Sequence, residues 1–412
     1  MQGQVVLHQT DTTAREPVRL YYLDWLRVIA TLGVFLFHAL LVFSWFEFVI
    51  NNAVRSTAIT VFIAFFFPWG MPFFILIAGA STWFALRRRT PGQYARERFS
   101  RLLIPFIFGS ILFTPIQLYL EWSHKTQTGV VQGSFLEFLK ALPWGPNPRM
   151  FGVVGYHLWF VGFLFCFSLL ALPLFRWLKG ELGQQVVSQI ARLCAHRGGI
   201  LLFILPLALV RLSLQPFFPQ EHNWADFCSL FSFFILGYLL YADKRFTRAI
   251  GRDWPILLTL GIVAFVAAAA ISLLTGDIDI EAVPRTLREF AWWGLVAVCS
   301  WCWTAFMLFV GMRFLDSRSK FVQYGQQAIL PFYAVHQPAI VVIAFFVVQW
   351  TVGILPKMLT IVFGAFMVSL GFYEFLVRRV APLRAMFGMK AVITPPASQS
   401  QEAAATKASR GA

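Results

Sequence analysis

Apolar runs of membrane-spanning length recur along nearly the whole of this 412-residue chain, separated by short polar breaks. A helix needs about 20 apolar residues to cross the hydrocarbon of a bilayer. In lipid every backbone polar group must be satisfied internally, so such runs become helices rather than open strands. The runs near 23–48, 57–86, 101–122, 156–177, 199–218, 224–242, 254–274, 288–312, 326–349 and 352–377 predict an all-α integral membrane protein, a bundle of about ten transmembrane helices. Pro68, Pro72 and Pro105 lie inside runs, which a bundle tolerates because neighbouring helices re-satisfy the freed backbone groups.

Only 13% of the residues are charged, against about 25% in a soluble domain. The length alone would allow two or three soluble domains, but the runs leave no room for them. One membrane domain is expected over 20–390, between a polar segment at 1–19 and a tail at 391–412 rich in Ala, Ser, Gln and Thr, expected to be disordered. The first run is too long for a signal-peptide core, so the first helix is expected to stay in the mature chain.

The net charge of +15 invites comparison with nucleic-acid binders, but its placement argues against one. The basic residues cluster between runs: Arg87, Arg88, Arg89, Arg96, Arg98 and Arg101, then Arg176, Lys179, Arg192 and Arg197, then Lys244, Arg245, Arg248 and Arg252. Arg313, Arg318 and Lys320 follow, then Arg378, Arg379, Arg384 and Lys390. The alternate connections are poor in Lys and Arg and several carry Glu221, Asp226, Asp277, Asp279 or Glu281. By the positive-inside rule the basic side is cytoplasmic, and an even number of spans puts both termini there. The longest connection on the other side, about 123–155, holds an amphipathic stretch from Phe135 followed by Pro143-Trp144-Gly145-Pro146, expected along the outer membrane surface.

Five cysteines, mostly inside apolar runs, give no disulfide framework. Cys299 and Cys302 form a lone CxxC in a Trp-rich run, without the second pair a zinc site needs. The seven histidines are scattered over different runs and connections, so no metal constellation is expected.

Ionisable residues inside a span are costly and mark candidate functional sites. In the first run, Arg27 and His38 are eleven residues apart. At about 100° per residue both point the same way, and the rise separates them by about 16 Å along the axis. Asp24 precedes Arg27 by three positions and can pair with it. Taken singly, Arg27 also suits a side chain snorkelling to headgroups; the pair on one face favours function. In the ninth run Tyr333 and His336 are i, i+3 neighbours, a pattern that fits a site or a helix–helix hydrogen bond equally. His157 stands among interfacial aromatics in Tyr156-His157-Leu158-Trp159. Glu374 can pair with Arg378 at i+4, and Arg211 lies within the fifth run without an evident partner. Arg98 and Arg101 form an RxxR pair; guanidinium suits phosphate, although inner basic residues also serve orientation.

Together these motifs resemble the membrane acyltransferase-3 family of bacteria. The resemblance rests on Leu23-Asp24-Trp25-Leu26-Arg27 with His38, on Met71-Pro72-Phe73-Phe74 with Gly79, and on Arg98 to Pro105. It continues through His157-Leu158-Trp159-Phe160, Leu330 to Pro338, Tyr373-Glu374 and Leu383 to Lys390, covering about 20–390. Ala80-Ser81 departs from it, since relatives commonly carry an aromatic there. The resemblance implies a bacterial cytoplasmic-membrane enzyme that moves an acyl group, of acetyl or succinyl class, from cytoplasmic acyl-coenzyme A to a hydroxyl of a glycan or other envelope acceptor. It makes Arg27 and His38 the essential pair, with Arg98, Arg101 and Arg27 on the donor. Acyl-coenzyme A is then a co-substrate, and no permanently bound cofactor is expected. His38 suits the base for the acceptor hydroxyl; His336 is expected as a further catalytic residue, orienting the acceptor or completing the site with Tyr333, and Asp24, His157, Tyr333 and Glu374 are expected in support. A covalent acyl-His intermediate is the alternative. The competing class is a polytopic transporter or flippase, for which midplane polar residues are equally natural. Oligomeric state leaves no readable pattern.

Overall fold

The computed structural model describes residues 20–125, 134–141, 156–275 and 287–389. Among them there is no strand, and eight helices are long and apolar enough to cross a membrane. In chain order the first two are α1 (Tyr21–Leu41) and α2 (Thr57–Leu86). The third span begins as α3 (Pro91–Arg98), passes through a π-helical turn (Phe99–Leu103) and continues as α4 (Ile104–Lys125). After the short α5 (Phe135–Ala141), a 3-10 turn (Tyr156–Leu158) leads into α6 (Trp159–Leu170), which bends by 42° into α7 (Leu172–Lys179). That bent pair gives a ninth crossing if counted as one span.

The fifth expected run forms a 3-10 turn (Gly199–Phe203) and α9 (Ile204–Leu214), shorter than the other spans. Between α7 and this run lies α8 (Glu181–Ala195), an amphipathic helix that the spacing of Arg176, Lys179, Arg192 and Arg197 did not reveal. The remaining spans are α10 (Trp224–Ala242), α11 (Lys244–Thr275), α12 (Leu287–Phe314), α13 (Lys320–Val347) and α14 (Ile354–Gly371), the last extended by a π-helical turn (Phe372–Val377). A short α15 (Ala381–Met386) follows. The segments 1–19 and 391–412, the residues from Pro143 to Pro146, and Asp277, Asp279, Glu281 and Lys390 lie outside the described residues.

Three boundaries differ from expectation for local reasons. The first apolar run reaches residue 48, yet α1 stops at Leu41 because a polar loop captures its end. Asn51 donates to the Leu41 and Phe46 carbonyls (3.3 and 3.2 Å), and the Asn52 amide donates to Val42 (2.8 Å). The arginine-rich turn after α2 is mostly helix, opened by a capping box in which Thr90 and Gln93 satisfy each other's amides. The basic residues from Lys244 to Arg252 likewise ride the first turns of α11.

α13 is the most enclosed span and α11 the least. α1 sits against α2, α12, α13 and α14, and α2 packs most extensively on α10. The α2–α10 contact is set by two glycines: a Cβ on Gly79 would overlap the Phe234 carbonyl, and one on Gly237 would overlap that of Leu76. Small residues of this kind let membrane helices approach backbone to backbone.

Prolines add a second device. Pro72 has no amide hydrogen for the carbonyl four residues earlier, and Ser300 of α12 donates to that Pro68 oxygen instead at 2.6 Å. Outward-facing Leu205, Leu209, Val263, Val266, Phe363 and Met367 are exposed, as a lipid-facing surface requires.

Candidate active site

α1 carries Arg27 nearly two turns from its start and His38 in its last turn. Its start is fastened to the α12–α13 connection: the Tyr22 amide donates to Asp316 (3.3 Å) and the Trp25 indole to the Ser317 carbonyl (3.0 Å). Arg27 donates to Asp24 at 3.1 Å, to Gln326 of α13 at 3.3 Å and to the Ser81 hydroxyl of α2. Gln326 in turn donates to the Asp24 carbonyl at 2.6 Å. One guanidinium thereby joins three helices, half-buried at the arginine-rich end of the bundle. Ser81, the departure from the family pattern, is one of its partners.

At the other end of α1, His38 meets His336 of α13. Their nearest nitrogens, His38 Nδ1 and His336 Nε2, are 3.2 Å apart, with ring centroids at 5.1 Å. The surrounding carbonyls fix the tautomers, because a carbonyl oxygen only accepts. His336 Nδ1 lies 2.6 Å from the Tyr333 carbonyl and therefore carries a hydrogen, which leaves Nε2 as an acceptor in the neutral ring. His38 Nδ1 lies 2.9 Å from the Val34 carbonyl and donates there and toward His336. The free lone pair of the neutral His38 ring is then on Nε2. His336 is only 1% exposed, whereas His38 is half-buried, so His38 is the more accessible ring of the two. Phe35, Phe37 and Phe48 pack edge-on or tilted around the two imidazoles.

His157 stands behind this pair rather than in it. Pro338 frees the Ala334 carbonyl from its intrahelical donor, and His157 Nε2 donates to that oxygen at 2.9 Å. His157 Nδ1 accepts from Gln117 of α4 at 2.8 Å, and the Tyr333 hydroxyl donates to the His157 carbonyl at 3.0 Å. The turn 333–336 is thereby pinned to the 3-10 turn before α6 and cannot rotate His336 away from His38.

Arg98, Arg101 and Glu374 gather at the arginine-rich end. Arg98 lies 4.6 Å over the Tyr94 ring and its Nε is buried without a hydrogen-bond partner. Arg101 pairs with Glu97 at 3.3 Å, which also holds Arg89 at 3.1 Å. The π-helical turn rotates the chain between Arg98 and Arg101. Gly388, at φ 64°, packs against the Arg101 backbone, so the segment after α15 closes on this turn. Glu374 binds Arg378 at 2.7 Å and accepts from Tyr324 at 3.0 Å. Arg211 finds its partner in Asp226 at 2.6 Å.

Gln326 and Gln117 escaped the sequence reading, since Gln in an apolar run carries no signal of its partner; Ser81 and Asp226 were noticed there, but not as partners of Arg27 and Arg211. The histidines, scattered in sequence, are partly brought together. Among the described residues, no group of three or more His, Cys, Asp or Glu is placed to hold a metal. Cys299 and Cys302 are buried in α12.

A sequence model described as an acyltransferase domain matches residues 20–374. The chain is 22% identical over 337 residues to glucans biosynthesis protein C of Salmonella paratyphi A, Salmonella agona and Salmonella dublin, covering 78% of this chain and 82% of each relative. No solved structure matches. The match takes in both ends of α1, the His38–His336 contact and Glu374, and this multi-pass membrane protein belongs to the acyltransferase-3 family and is an acyltransferase.

Proposed function

We propose that the enzyme moves an acyl group of acetyl or succinyl class from cytoplasmic acyl-coenzyme A to a hydroxyl of a glucan or related envelope glycan on the far side of the bacterial cytoplasmic membrane. The observation that carries this reading is the histidine pair at one end of α1, with Arg27 at the end where the arginines collect. The arginine-rich end is taken as cytoplasmic, with ten crossings and both termini inside once α9 and the bent pair are each counted. The name of the relatives supports a glucan as acceptor.

The chemistry follows from the tautomers. His38 Nε2 takes the proton of the acceptor hydroxyl as its oxygen bonds to the thioester carbonyl carbon. The C–S bond breaks when the tetrahedral adduct collapses, and the coenzyme A sulfur leaves with that proton. During transfer the His38 cation keeps its Nδ1–H between two acceptors, the Val34 carbonyl and His336 Nε2. The carbonyl end of α1 also favours positive charge in its last turn. His336 is therefore a positioning residue, and His157 and Tyr333 hold it in place. Donor phosphates would lie near Arg98 and Arg101, with Arg27 where the pantetheine arm enters. That arm is about as long as the axial distance from Arg27 to His38, so the thioester reaches His38 without the donor crossing the membrane.

Family membership, rather than the number of helices, separates this reading from transport. Purified enzyme given radiolabelled acyl-coenzyme A and glucan should produce labelled glucan with free coenzyme A, and the His38→Ala protein should not. Label on a protein histidine before glucan is added would favour the covalent route instead. Movement of glucan across vesicles with no acylated product would sink the proposal.

A further inference from the structure

At the His38 end of the bundle the indole of Trp159 and the imidazole of His222 stack at 4.1 Å with an interplanar angle of 24°. Trp159 opens α6, two residues after His157; His222 lies in the turn between α9 and α10. Both residues are half-buried, so the pair is not sealed inside the bundle.

Each flank of the pair is built with effort. Among the described residues only Tyr156 (φ 24°) and His222 (φ 59°) have positive φ without being glycine. Such backbone is held where the surroundings over-determine it, and it clusters at binding sites. Asp226 does the holding: one carboxylate oxygen accepts the His222 amide at 2.8 Å and the other accepts Arg211 at 2.6 Å. Arg211 lies 4.2 Å over the Trp293 ring. On the other flank the Tyr156 hydroxyl donates to Glu121 at 2.7 Å. Ion pairs and strained turns are not needed to keep an ordinary aromatic pair inside a bundle.

The stack also belongs to the neighbourhood of the proposed base. Trp159 follows the turn whose His157 is hydrogen-bonded to Ala334, two residues before His336.

We propose that Trp159 and His222, fixed by the Arg211–Asp226 pair, form a carbohydrate subsite that takes one sugar ring of the acceptor. The proposal rests on the acyl-transfer reading and says where the acceptor is gripped. A hexose presents a face of C–H bonds to aromatic rings and its hydroxyls to polar groups at their edge. The His222 imidazole supplies a polar group of that kind beside the indole. A uniformly apolar or strongly anionic ligand would use neither feature as well.

The test uses the full chain in lipid nanodiscs, with a short linear glucose oligomer as probe. His222→Asn keeps a residue that tolerates the left-handed turn while removing the ring, and Trp159→Leu keeps bulk while removing the aromatic face. By calorimetric titration both variants should bind the oligomer about tenfold more weakly than wild type, the scale of one lost ring contact. Acceptor KM should rise by the same factor, with donor KM unchanged. Equal affinity in wild type and both variants, or no saturable binding to wild type, overturns the subsite. Ring-dependent binding without transfer by wild type would leave the subsite standing and defeat the transfer reading alone.

Discussion

His38 and His336 differ in exposure, and the proposed roles follow that difference. In the proposed mechanism the half-buried ring offers Nε2 to an acceptor, while the enclosed ring receives the hydrogen that His38 Nδ1 offers. With His38 as the proposed base, His38→Ala should lower kcat by about a hundredfold to ten-thousandfold. His336→Phe leaves the base but takes away its orienting acceptor. Its kcat should fall by about ten- to a hundredfold, with KM for donor and acceptor unchanged. Initial rates at saturating and limiting substrate distinguish the cases; wild-type kcat in His336→Phe would remove His336 from the mechanism. In the sequence, both histidines and Arg27 stood out because charge inside an apolar run is rare. Their contact did not, because 298 residues separate the histidines and helical periodicity speaks only within one helix.

Two devices at the level of the helix place these side chains, and both use a missing group. Pro338 lacks an amide hydrogen, which opens the Ala334 carbonyl to His157. His157→Ala should cost about 1–3 kcal/mol, since buried polar atoms of Ala334 and Gln117 lose their partner. With Pro338→Ala added, the new amide can satisfy Ala334. The double variant should then lose less stability than the sum of the single changes, as thermal unfolding in detergent would report. Strict additivity would mean that His157 and Pro338 do not cooperate. Gly79 and Gly237 lack a side chain where α2 and α10 touch. Gly79→Val should displace backbone against backbone and sharply lower the yield of monodisperse protein; a normal yield and unfolding temperature would show that the contact is looser than described. The spans themselves were legible, because apolar length is a local property. Their ends were less so: α1 stops early through side-chain hydrogen bonds of Asn51, a residue ten positions past the helix end. The amphipathic α8 was missed because its apolar positions are interrupted rather than continuous.

Across the whole molecule the arginines and the histidine pair occupy opposite ends of α1, so the proposed reaction is vectorial: donor from one side, acceptor from the other. Arg98→Ala combined with Arg101→Ala should raise donor KM about tenfold or more while acceptor KM holds, because charge-assisted contacts to phosphate are lost. An unchanged donor KM would assign the pair to membrane orientation. The central measurement is acyl transfer in sealed proteoliposomes with glucan on one side and radiolabelled acyl-coenzyme A on the other. Wild-type enzyme should label the glucan when donor faces the arginine-rich end and not when the sides are exchanged, and His38→Ala should label none. Labelled glucan in both arrangements, or transfer by the His38→Ala protein, would contradict a site that draws its two substrates from opposite faces of the membrane and joins them at His38.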